Sequence, residues 1–491
     1  MNISNKIDNN ARQAGHTEDT SSLVYYDITD LLEDVHNNCS LTGIHRASIH
    51  TISNFAKSDN AYNYRLIALH PILNEVITTD LSFFEHGTFD VAEFRRFFIG
   101  ETWQHLTVDT FLEKRYSNKY IRRVQRLRMM LKNTITRGRY FKRRGIYVGA
   151  AILGKTQCPI WTDPAMKHGD IIYIPGAIWR CNKLLDFLEK NYYTNKISIV
   201  IFVHDLAPVY ASEFVPDNTP IEFFRWLTLM CNIASYFIVN SLSTRSQLEQ
   251  FITEFGHKQA DIRVVPLAHE FPSFERSGDV GLSDWNHGLP LLLTRVREKI
   301  RYCAYKPFVL CVGTFQPRKN NIGLLKGWQR LHERLGYATP RLVFAGTNGW
   351  MNEEFFEFLK ATANISGTVS LAEAPSDFEL GYLYSRCMFS IYPSFAEGWG
   401  LPIGESLWFG RPVIASNTTS MPEVGGDYVD YVDPMDLTTI ETAILRMLEP
   451  KYRTDRANAI KTMPMRSWSD VSQSIFTELQ SIVTGENPRA V

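Results

Sequence analysis

The feature that most constrains the fold is a series of short, apolar segments in the second half of the 491-residue chain. Five such segments are rich in Val, Ile and Phe: FVLCVGT (308–314), RLVFAG (341–346), TVSLA (368–372), MFSIYPS (388–394) and RPVIAS (411–416). The intervals carry helical patterns such as NIGLLKGWQRLHERLG. Strands that alternate with helices predict a parallel sheet, and strands that are apolar throughout predict burial on both faces.

The first half of the chain repeats this alternation less regularly. Six segments there are candidate strands: LVYYDIT (23–29), YRLIALH (64–70), DIIYIPG (170–176), ISIVIFVHD (197–205), YFIVNS (236–241) and IRVVPLA (262–268). We therefore predict an α/β protein with two doubly wound, Rossmann-like domains that face each other across a cleft. Ligands of such sheets bind beyond the carboxyl ends of the strands, so the cleft is the expected site.

The predicted organisation has four parts. Residues 1–22 are polar and form a disordered lead-in, without the apolar core of a signal peptide. The two domains occupy 23–285 and 300–465, joined near the polar stretch FERSGDVGLSDWNHG (274–288). Residues 466–491 carry a last helix that packs back toward the first domain, with Ser469 as its N-cap.

Composition narrows the function classes. The 52 basic and 52 acidic residues balance, which gives no overall indication of nucleic acid as a partner. Seven scattered cysteines without a C-x-x-C pair favour a reducing compartment over a disulfide scaffold or a zinc site. No apolar run approaches the ~18 residues of a membrane span. The chain is expected to be cytoplasmic, or peripheral on the inner face of the plasma membrane.

A pair of cations follows the first strand of the second domain. In VGTFQPRKNNIGLL the strand ends at Gly313, and Arg318 and Lys319 precede a helix that starts near Asn321. Arg offers a planar fork of donors, Lys a point charge, and the helix terminus adds free N–H groups. This combination predicts an anion site that fits a diphosphate, although a bare Arg-Lys pair is also compatible with two solvated surface charges.

Two glutamates surround a glycine turn in FAEGWGLPIGESLWFGRPVIAS (395–416). Glu397 follows the strand MFSIYPS, and Gly398 and Gly400 allow the backbone to come close to a ligand. Pro402 is expected near the start of the next helix and Glu405 in its first turn, where the dipole favours a negative charge. A carboxylate at this position can accept hydrogen bonds from the two hydroxyls of a ribose.

These segments together resemble the retaining glycosyltransferases of family 4, which have the GT-B architecture and an E-x7-E signature. EGWGLPIGE matches that signature, and VGTFQPRKN resembles the diphosphate-binding turn of the family. PVIASNTTSMPEVGGDYVDYVDPMD (412–436) follows the end of the donor domain, whereas LTGIHRAS (41–48), IFVHDLAPVY (201–210) and VNSLSTRSQL (239–248) resemble parts of the amino-terminal domain. The resemblance is dense over 300–470 and patchier over 23–270.

The resemblance implies a role for each matching residue. Arg318 and Lys319 would hold the diphosphate of a nucleotide-sugar, beside Gly313, and neutralise it as it leaves. Glu405 would bind the ribose, and Glu397 would reach the hydroxyls of the donor sugar. The remaining site residues are Gly43 in the first loop, His204 on the amino-terminal side of the sugar, and the backbone from Gly398 through Gly400 to Leu401.

The implied reaction transfers a sugar with retention at the anomeric carbon. A glycosidase needs two carboxylates at set distances across the bond, and only Glu397 is well placed here. This favours a front-face path in which the diphosphate helps to deprotonate the acceptor hydroxyl. We expect no cofactor and no metal, since no D-x-D motif ends a strand. The YYDITDLL opening is similar to bacterial members that add mannose-like sugars and weakly favours GDP-mannose.

A strongly basic stretch lies at 114–144, with 13 Lys and Arg and no Asp or Glu. Ile121, Val124, Leu127 and Leu131 recur at helical spacing between the cations. Such a basic amphipathic helix is a candidate for an anionic membrane surface, which would suit an acceptor on a polyprenyl diphosphate. A helix that packs on the sheet with a solvated basic face explains the pattern too. A nucleic-acid patch is disfavoured because the stretch has few aromatic residues.

Three functions remain open from the sequence. The first is a glycosyltransferase acting on a surface glycan or lipid-linked oligosaccharide, with GDP-mannose or a UDP-sugar as donor. The second is a GT-B phosphorylase, for which no pyridoxal-binding motif is visible. The third is a catalytically degenerate, sugar-nucleotide-binding partner protein, which the intact Glu397, Glu405, Arg318 and Lys319 disfavour.

Overall fold

The computed structural model describes residues 22–37, 43–57, 63–85, 91–99, 162–271, 274 and 295–484. Within these ranges the chain forms two sheets of seven and six strands, each with helices on both faces. The predicted α/β class with two doubly wound, Rossmann-like sheets is confirmed, and with it the GT-B architecture. Nearly all of the lead-in 1–22, the basic stretch 114–144 and most of the linker 274–288 lie outside the described residues.

The first sheet has the strand order β3-β2-β1-β4-β5-β6-β7. All neighbours in it are parallel except β2 and β3, which are antiparallel. Most of its residues are buried because helices cover both faces. Its strands are β1 (Val24–Asp27), β2 (Tyr64–Leu69), β3 (Val76–Thr79), β4 (Ile171–Ile174), β5 (Ser198–Val203), β6 (Tyr236–Val239) and β7 (Asp261–Val264).

The second sheet has the order β10-β9-β8-β11-β12-β13 and is parallel throughout. The chain runs outward from β8 in one direction and from β11 in the other, so the carboxyl ends of these two neighbours flank a topological switch point. The strands are β8 (Phe308–Val312), β9 (Arg341–Gly346), β10 (Val369–Glu373), β11 (Phe389–Tyr392), β12 (Val413–Ser416) and β13 (Asp430–Val432).

Helices connect and cover the strands of both sheets. Those of the first half are α1 (Thr29–Asn37), α2 (Gly43–Ala56), α3 (Ser82–Glu85), α4 (Val91–Ile99), α5 (Asn182–Asn195), α6 (Ala207–Tyr210), α7 (Thr219–Ile233) and α8 (Leu242–Glu254). Those of the second half are α9 (Glu298–Cys303), α10 (Asn321–Leu335), α11 (Glu353–Ala361), α12 (Asp377–Arg386), α13 (Leu401–Trp408), α14 (Met421–Gly425), α15 (Leu437–Leu448), α16 (Pro450–Ile460) and α17 (Trp468–Thr484).

Two strands escaped the sequence pattern. The antiparallel edge strand β3 has only four residues, VITT, and two of them are threonines, so it has no apolar run from which a strand could be predicted. The edge strand β13 holds three residues and starts with the buried Asp430, whose carboxylate bonds Arg446 and Tyr452. Both are short edge strands, whose partial burial needs less apolar sequence than a central strand.

The last helix, α17, begins at Trp468, two residues earlier than a Ser469 N-cap predicts. Ser469 is exposed in its first turn and is not the N-cap, so that prediction is wrong. The cap is Ser467, whose Oγ accepts a 3.1 Å hydrogen bond from the Asp470 N–H, while Asp470 Oδ2 accepts the Ser467 N–H at 2.8 Å. A reciprocal pair of this kind satisfies two otherwise unpaired N–H groups at a helix start.

Helix α17 crosses from the second sheet to the first. Its residue Trp468 stacks on His50 of α2, with ring centroids 5.3 Å apart, and Asn54 of α2 donates to Ser472. Arg263, at the end of β7, forms a 2.6 Å ion pair with Glu478. Among the helices that the structure describes, none is long and apolar enough to span a membrane.

Candidate active site

Arg318, Lys319 and Glu397 form a buried ion cluster at the switch point of the second sheet. Arg318 and Lys319 lie in the short 3₁₀ turn Pro317–Lys319 after β8, and Glu397 lies in the loop after β11. Arg318 Nη1 is 2.8 Å from Glu397 Oε2, and Lys319 Nζ is 2.6 Å from Glu397 Oε1. The neighbouring positions of β8 and β11 in the sheet bring these residues together although 78 positions separate Lys319 from Glu397.

The electrostatics of the cluster reflect two cations that share one carboxylate. The three side chains are 7–14% exposed. Burial alone would raise the pKa of Glu397, but Arg318 and Lys319 outweigh it and hold that pKa at about 2. Burial and the Arg318 charge together lower the pKa of Lys319. At Arg318 burial also acts to lower the pKa, but the negative charge of Glu397 outweighs it and the pKa is raised. The cluster carries one net positive charge.

Three further side chains fix the position of Glu397, and none of them was among the site residues predicted from the sequence. The Tyr392 hydroxyl donates to Glu397 Oε1 at 3.0 Å and also lies 2.7 Å from Lys319 Nζ. Thr419 Oγ1 accepts the Glu397 N–H at 3.0 Å, and Ser420 Oγ donates to the Glu397 carbonyl at 2.9 Å. Tyr392 belongs to the buried strand β11, so its sequence context predicts a core residue and not a site residue. Thr419 and Ser420 follow β12, and this position after a strand is the sequence feature that could have identified them.

The glycine turn after Glu397 meets the first domain. A Cβ on Gly398 would collide with the main-chain carbonyl of His204, so glycine is required there by the approach of another part of the protein. Gly400 has φ of 107° and precedes Leu401, the first residue of α13. The left-handed backbone at Gly400 ends the turn and starts the helix.

Glu405 lies in α13, apart from the hydrogen bonds of the ion cluster. It is the fifth residue of the helix, so its predicted place in the first turn is wrong. The helix begins at Leu401, so Pro402 lies in its first turn, where proline is tolerated. Glu405 is 6% exposed and accepts a 2.9 Å hydrogen bond from the Tyr384 hydroxyl of α12.

His204 and Gly313 lie on opposite sides of the interface between the sheets. His204 follows β5, and its Nε2 donates to the Pro175 carbonyl at 2.6 Å. Burial lowers the pKa of His204, so the ring is neutral at pH 7 and Nδ1 is left as an acceptor. Gly313 follows β8, where a Cβ would lie 3.5 Å from the aliphatic carbons of Lys319. That distance is an ordinary van der Waals contact, so glycine is favoured at 313 by its backbone, which has φ of +154°.

Gly43 is the first residue of α2 and precedes a histidine that the sequence reading passed over. His45 lies between two carboxylates of α1, 3.0 Å from Asp30 Oδ2 and 3.3 Å from Asp34 Oδ2. Burial would lower the pKa of His45, but the two aspartates raise it to about 9. The Asp30 carboxylate also accepts the Ala177 N–H, in the loop whose Pro175 carbonyl bonds His204. The Gly43 turn and His204 are thus held against one loop.

Comparison with known proteins finds a family similarity for the second sheet and its helices. Residues 295–463 match the family described as glycosyl transferases group 1. The matched segment spans the second sheet and the helices around it. It contains Arg318, Lys319, Glu397 and Glu405, so the ion cluster lies wholly within it.

Two curated relatives come from Escherichia coli. The O-antigen chain mannosyltransferase B is 38% identical over 146 residues, which is 30% of this chain and 38% of the relative. The serotype-specific mannosyltransferase WbdA is 26% identical over 230 residues, 47% of this chain and 27% of the relative. The chain thus spans well under half the length of these relatives. Anabaena HepE, solved with UDP and glucose, has a TM-score of 0.49 at 16% identity and covers 63% of this chain and 78% of that one.

The described residues contain no group of three or more His, Cys, Asp and Glu side chains placed to hold a metal ion. At the switch point, three charged side chains are in direct contact with one another: Arg318, Lys319 and Glu397. Two cations beside a strand end can bind a di-anionic group, and the carboxylate between them can accept hydrogen bonds from hydroxyls. Independence from metal stays a prediction.

Proposed function

We propose that the chain is a retaining glycosyltransferase that moves a sugar from a nucleotide-diphosphate sugar to a glycan or lipid-linked oligosaccharide in surface polysaccharide synthesis. GDP-mannose is the favoured donor, and the names of the two Escherichia coli relatives support a mannosyl donor. The observation that carries the proposal is the buried cluster of Arg318, Lys319 and Glu397 at the switch point of a group 1 domain.

The cluster suits a diphosphate leaving group. Arg318 and Lys319 are fixed before any ligand binds, so they need little reorganisation when charge develops on the departing diphosphate. A bound diphosphate would compete with Glu397 for both cations. The carboxylate of Glu397 would then be free to accept hydrogen bonds from the hydroxyls of the donor sugar. Tyr392 would still donate to Oε1, and Thr419 would still hold the backbone N–H.

The other site residues would bind the two ends of the donor. Glu405 would accept hydrogen bonds from the ribose hydroxyls, in exchange for the bond from Tyr384. His204 offers a neutral Nδ1 to a sugar hydroxyl, because its Nε2 is committed to Pro175. Gly43 would let the start of α2 approach the donor. The diphosphate itself would take the proton of the acceptor hydroxyl on the front face of the sugar, without a metal ion or a cofactor.

Nucleotide-sugar binding is the direct test. A panel of GDP-, UDP- and dTDP-sugars is titrated into the purified protein, and donor hydrolysis is measured in parallel. We expect GDP-mannose to bind best, and Glu405→Ala and Lys319→Ala to weaken binding at least tenfold. Lys326→Ala is the matched control, since its side chain is 48% exposed and its ion-pair partner among the described residues is the exposed Glu354. The proposal is wrong if no nucleotide-sugar binds, or if all three variants bind as the wild type does.

A lipid-linked acceptor would place the enzyme at a membrane surface. The basic stretch 114–144, outside the described residues, is the proposed contact with anionic lipid. Co-sedimentation with vesicles that contain anionic lipid tests this, with neutral vesicles as control. Binding that persists after the cations of 122–144 are replaced by Gln rules that stretch out.

A further inference from the structure

A cavity of about 350 Å³ adjoins the ion cluster, and none of the predicted site residues except Glu397 lines it. It is bounded by the loop after β5, by the loops after β11 and β12, and by residues 433–435 after β13. Both domains therefore contribute to its wall. Its size lies within the range of about 300–1,000 Å³ that is usual for small-molecule sites.

Two phenylalanines join the domains at this cavity. The rings of Phe214 and Phe395 are stacked, with centroids 5.0 Å apart and an interplanar angle of 7°. Trp350 Nε1 donates to the Phe214 carbonyl at 2.9 Å and so ties the Phe214 loop to the second domain. The stack gives the cavity a flat apolar wall, of the kind on which the C–H face of a ligand can pack.

Among the described residues, the charged side chains that line the cavity are all acidic. They are Asp205, Glu213, Glu397 and Asp433, and no described lysine or arginine lines it. Asp205 Oδ1 accepts the Ala207 N–H and Asp433 Oδ1 accepts the Met435 N–H, which fixes both side chains. In each case Oδ2 makes no hydrogen bond to the described residues and can accept one from a ligand. An anionic ligand would be repelled, whereas a ligand rich in hydroxyl donors would be satisfied.

We propose that this cavity binds the acceptor of the transfer reaction and that the acceptor end is a neutral sugar. The inference rests on the proposed function, because it takes Glu397 to lie beside the transferred sugar. Glu397 separates the two regions: its carboxylate bonds both cations, and it also lines the acidic cavity. The diphosphate belongs on the cationic side and the acceptor hydroxyls on the acidic side. If the acceptor is linked to a lipid diphosphate, that diphosphate lies outside the cavity.

A larger cavity of about 680 Å³ does not compete for this role. It lies between residues 264–266 and the segment 464–478, and no residue of the ion cluster lines it. Its arginine, Arg466, is already bonded to the Pro266 carbonyl and to Ser474. This cavity is an indentation beside α17, and none of the predicted site residues lines it.

Direct binding of small sugars tests the inference separately from donor chemistry. Mannobiose and mannose 6-phosphate are titrated into the protein, with and without GDP, and followed by ligand-observed NMR. We expect the neutral disaccharide to bind and the phosphate to bind at least tenfold more weakly. The double variant Asp205→Asn/Asp433→Asn should weaken mannobiose binding at least tenfold while GDP binding changes less than twofold. Asparagine keeps the Oδ1 acceptor that each loop needs, so the fold is preserved.

The matched control is Asp186→Asn, an exposed acid on α5 that does not line the cavity. It should bind both sugars as the wild type does. The inference is overturned if the double variant binds mannobiose normally, if the phosphorylated sugar binds better, or if GDP binds while mannobiose does not. If the wild type does not bind GDP but binds mannobiose in a way that depends on Asp205 and Asp433, the proposed function is wrong and the sugar site is still supported.

Discussion

Arg318 and Lys319 both form ion pairs with the carboxylate of Glu397, so the loss of this carboxylate affects two buried cations at once. Glu397→Gln keeps the shape of the side chain but removes the charged carboxylate that forms ion pairs with both Arg318 and Lys319. Breaking a buried ion pair by removing one partner costs about 3–5 kcal/mol. We therefore expect a large loss of stability at pH 7, measured by urea unfolding, and a partial rescue by GDP, whose diphosphate would supply the missing negative charge.

The pH dependence of this effect has a definite sign. The folded pKa of Glu397 is about 2, below its ordinary value of 4.5, so the carboxylate stabilises the fold above pH 4.5 and loses that effect as the pH falls through 2. The contribution is roughly 3 kcal/mol. The stability difference between wild type and Glu397→Gln should shrink over this interval. Glu354→Gln, which removes an exposed ion pair, should show little difference at any pH. Equal stability of Glu397→Gln and wild type at pH 7 would contradict the role of the cluster.

At the scale of single residues, the sequence could predict those that directly follow strands. Arg318, Lys319 and Glu397 each stand just after an apolar run, and parallel strands align their carboxyl ends. The sequence could not reveal that Tyr392 points from the buried strand β11 to Glu397, because an apolar run does not show which ring has a polar partner. Nor could it show that Gly398 meets His204, a contact between residues far apart in the chain.

At the scale of elements, the start of α17 gives a clean comparison between two serines. Ser467 caps the helix through the Asp470 N–H, whereas Ser469, the residue that the sequence pattern favoured, is exposed in the first turn. Ser467→Ala should cost about 1 kcal/mol of stability in urea unfolding, the usual value for a lost N-cap. The cost reaches the whole molecule because α17 holds the two domains together through His50 and Arg263.

Ser469→Ala is the matched control, since it removes the same hydroxyl from the same helix turn. Alanine is a better helix former than serine, so this variant should be as stable as the wild type or slightly more stable. A larger loss with Ser469→Ala than with Ser467→Ala would show that the helix begins where the sequence pattern suggested. The prediction failed because S-D at 469–470 and S-W at 467–468 are both acceptable starts, and only the bond to Asp470 distinguishes them.

At the scale of the whole molecule, the alternation of strands and helices was enough to predict both sheets. Eleven strands were visible because each buries an apolar run, and the two that were missed, β3 and β13, are short edge strands. Most of the contacts between the domains could not be predicted from the sequence. They include the Phe214–Phe395 stack and the Gly398 turn. They also include Glu423, whose carboxylate accepts the N–H groups of Leu242 and Ser243 at the start of α8.

Gly398 offers a test of how closely the domains must meet. Its backbone has no positive φ, so alanine is acceptable locally, but a Cβ would collide with the His204 carbonyl of the other domain. Gly398→Ala should therefore hold the domains apart and separate Glu397 from His204. We expect at least a tenfold fall in sugar transfer, a larger radius of gyration in X-ray scattering with GDP bound, and a stability loss of about 1–3 kcal/mol from overpacking.

Gly327→Ala is the control for the substitution itself. Gly327 lies inside α10, and its Cβ would meet only a methyl carbon of Ile440 at 4.0 Å. Removal of a helical glycine should leave transfer unchanged and raise stability by about 0.5–1 kcal/mol. If Gly398→Ala scatters and transfers as the wild type does, the domains do not need this contact. If transfer falls without any change in scattering, the glycine acts locally, through the turn beside Glu397, and the closed arrangement is not what the reaction requires.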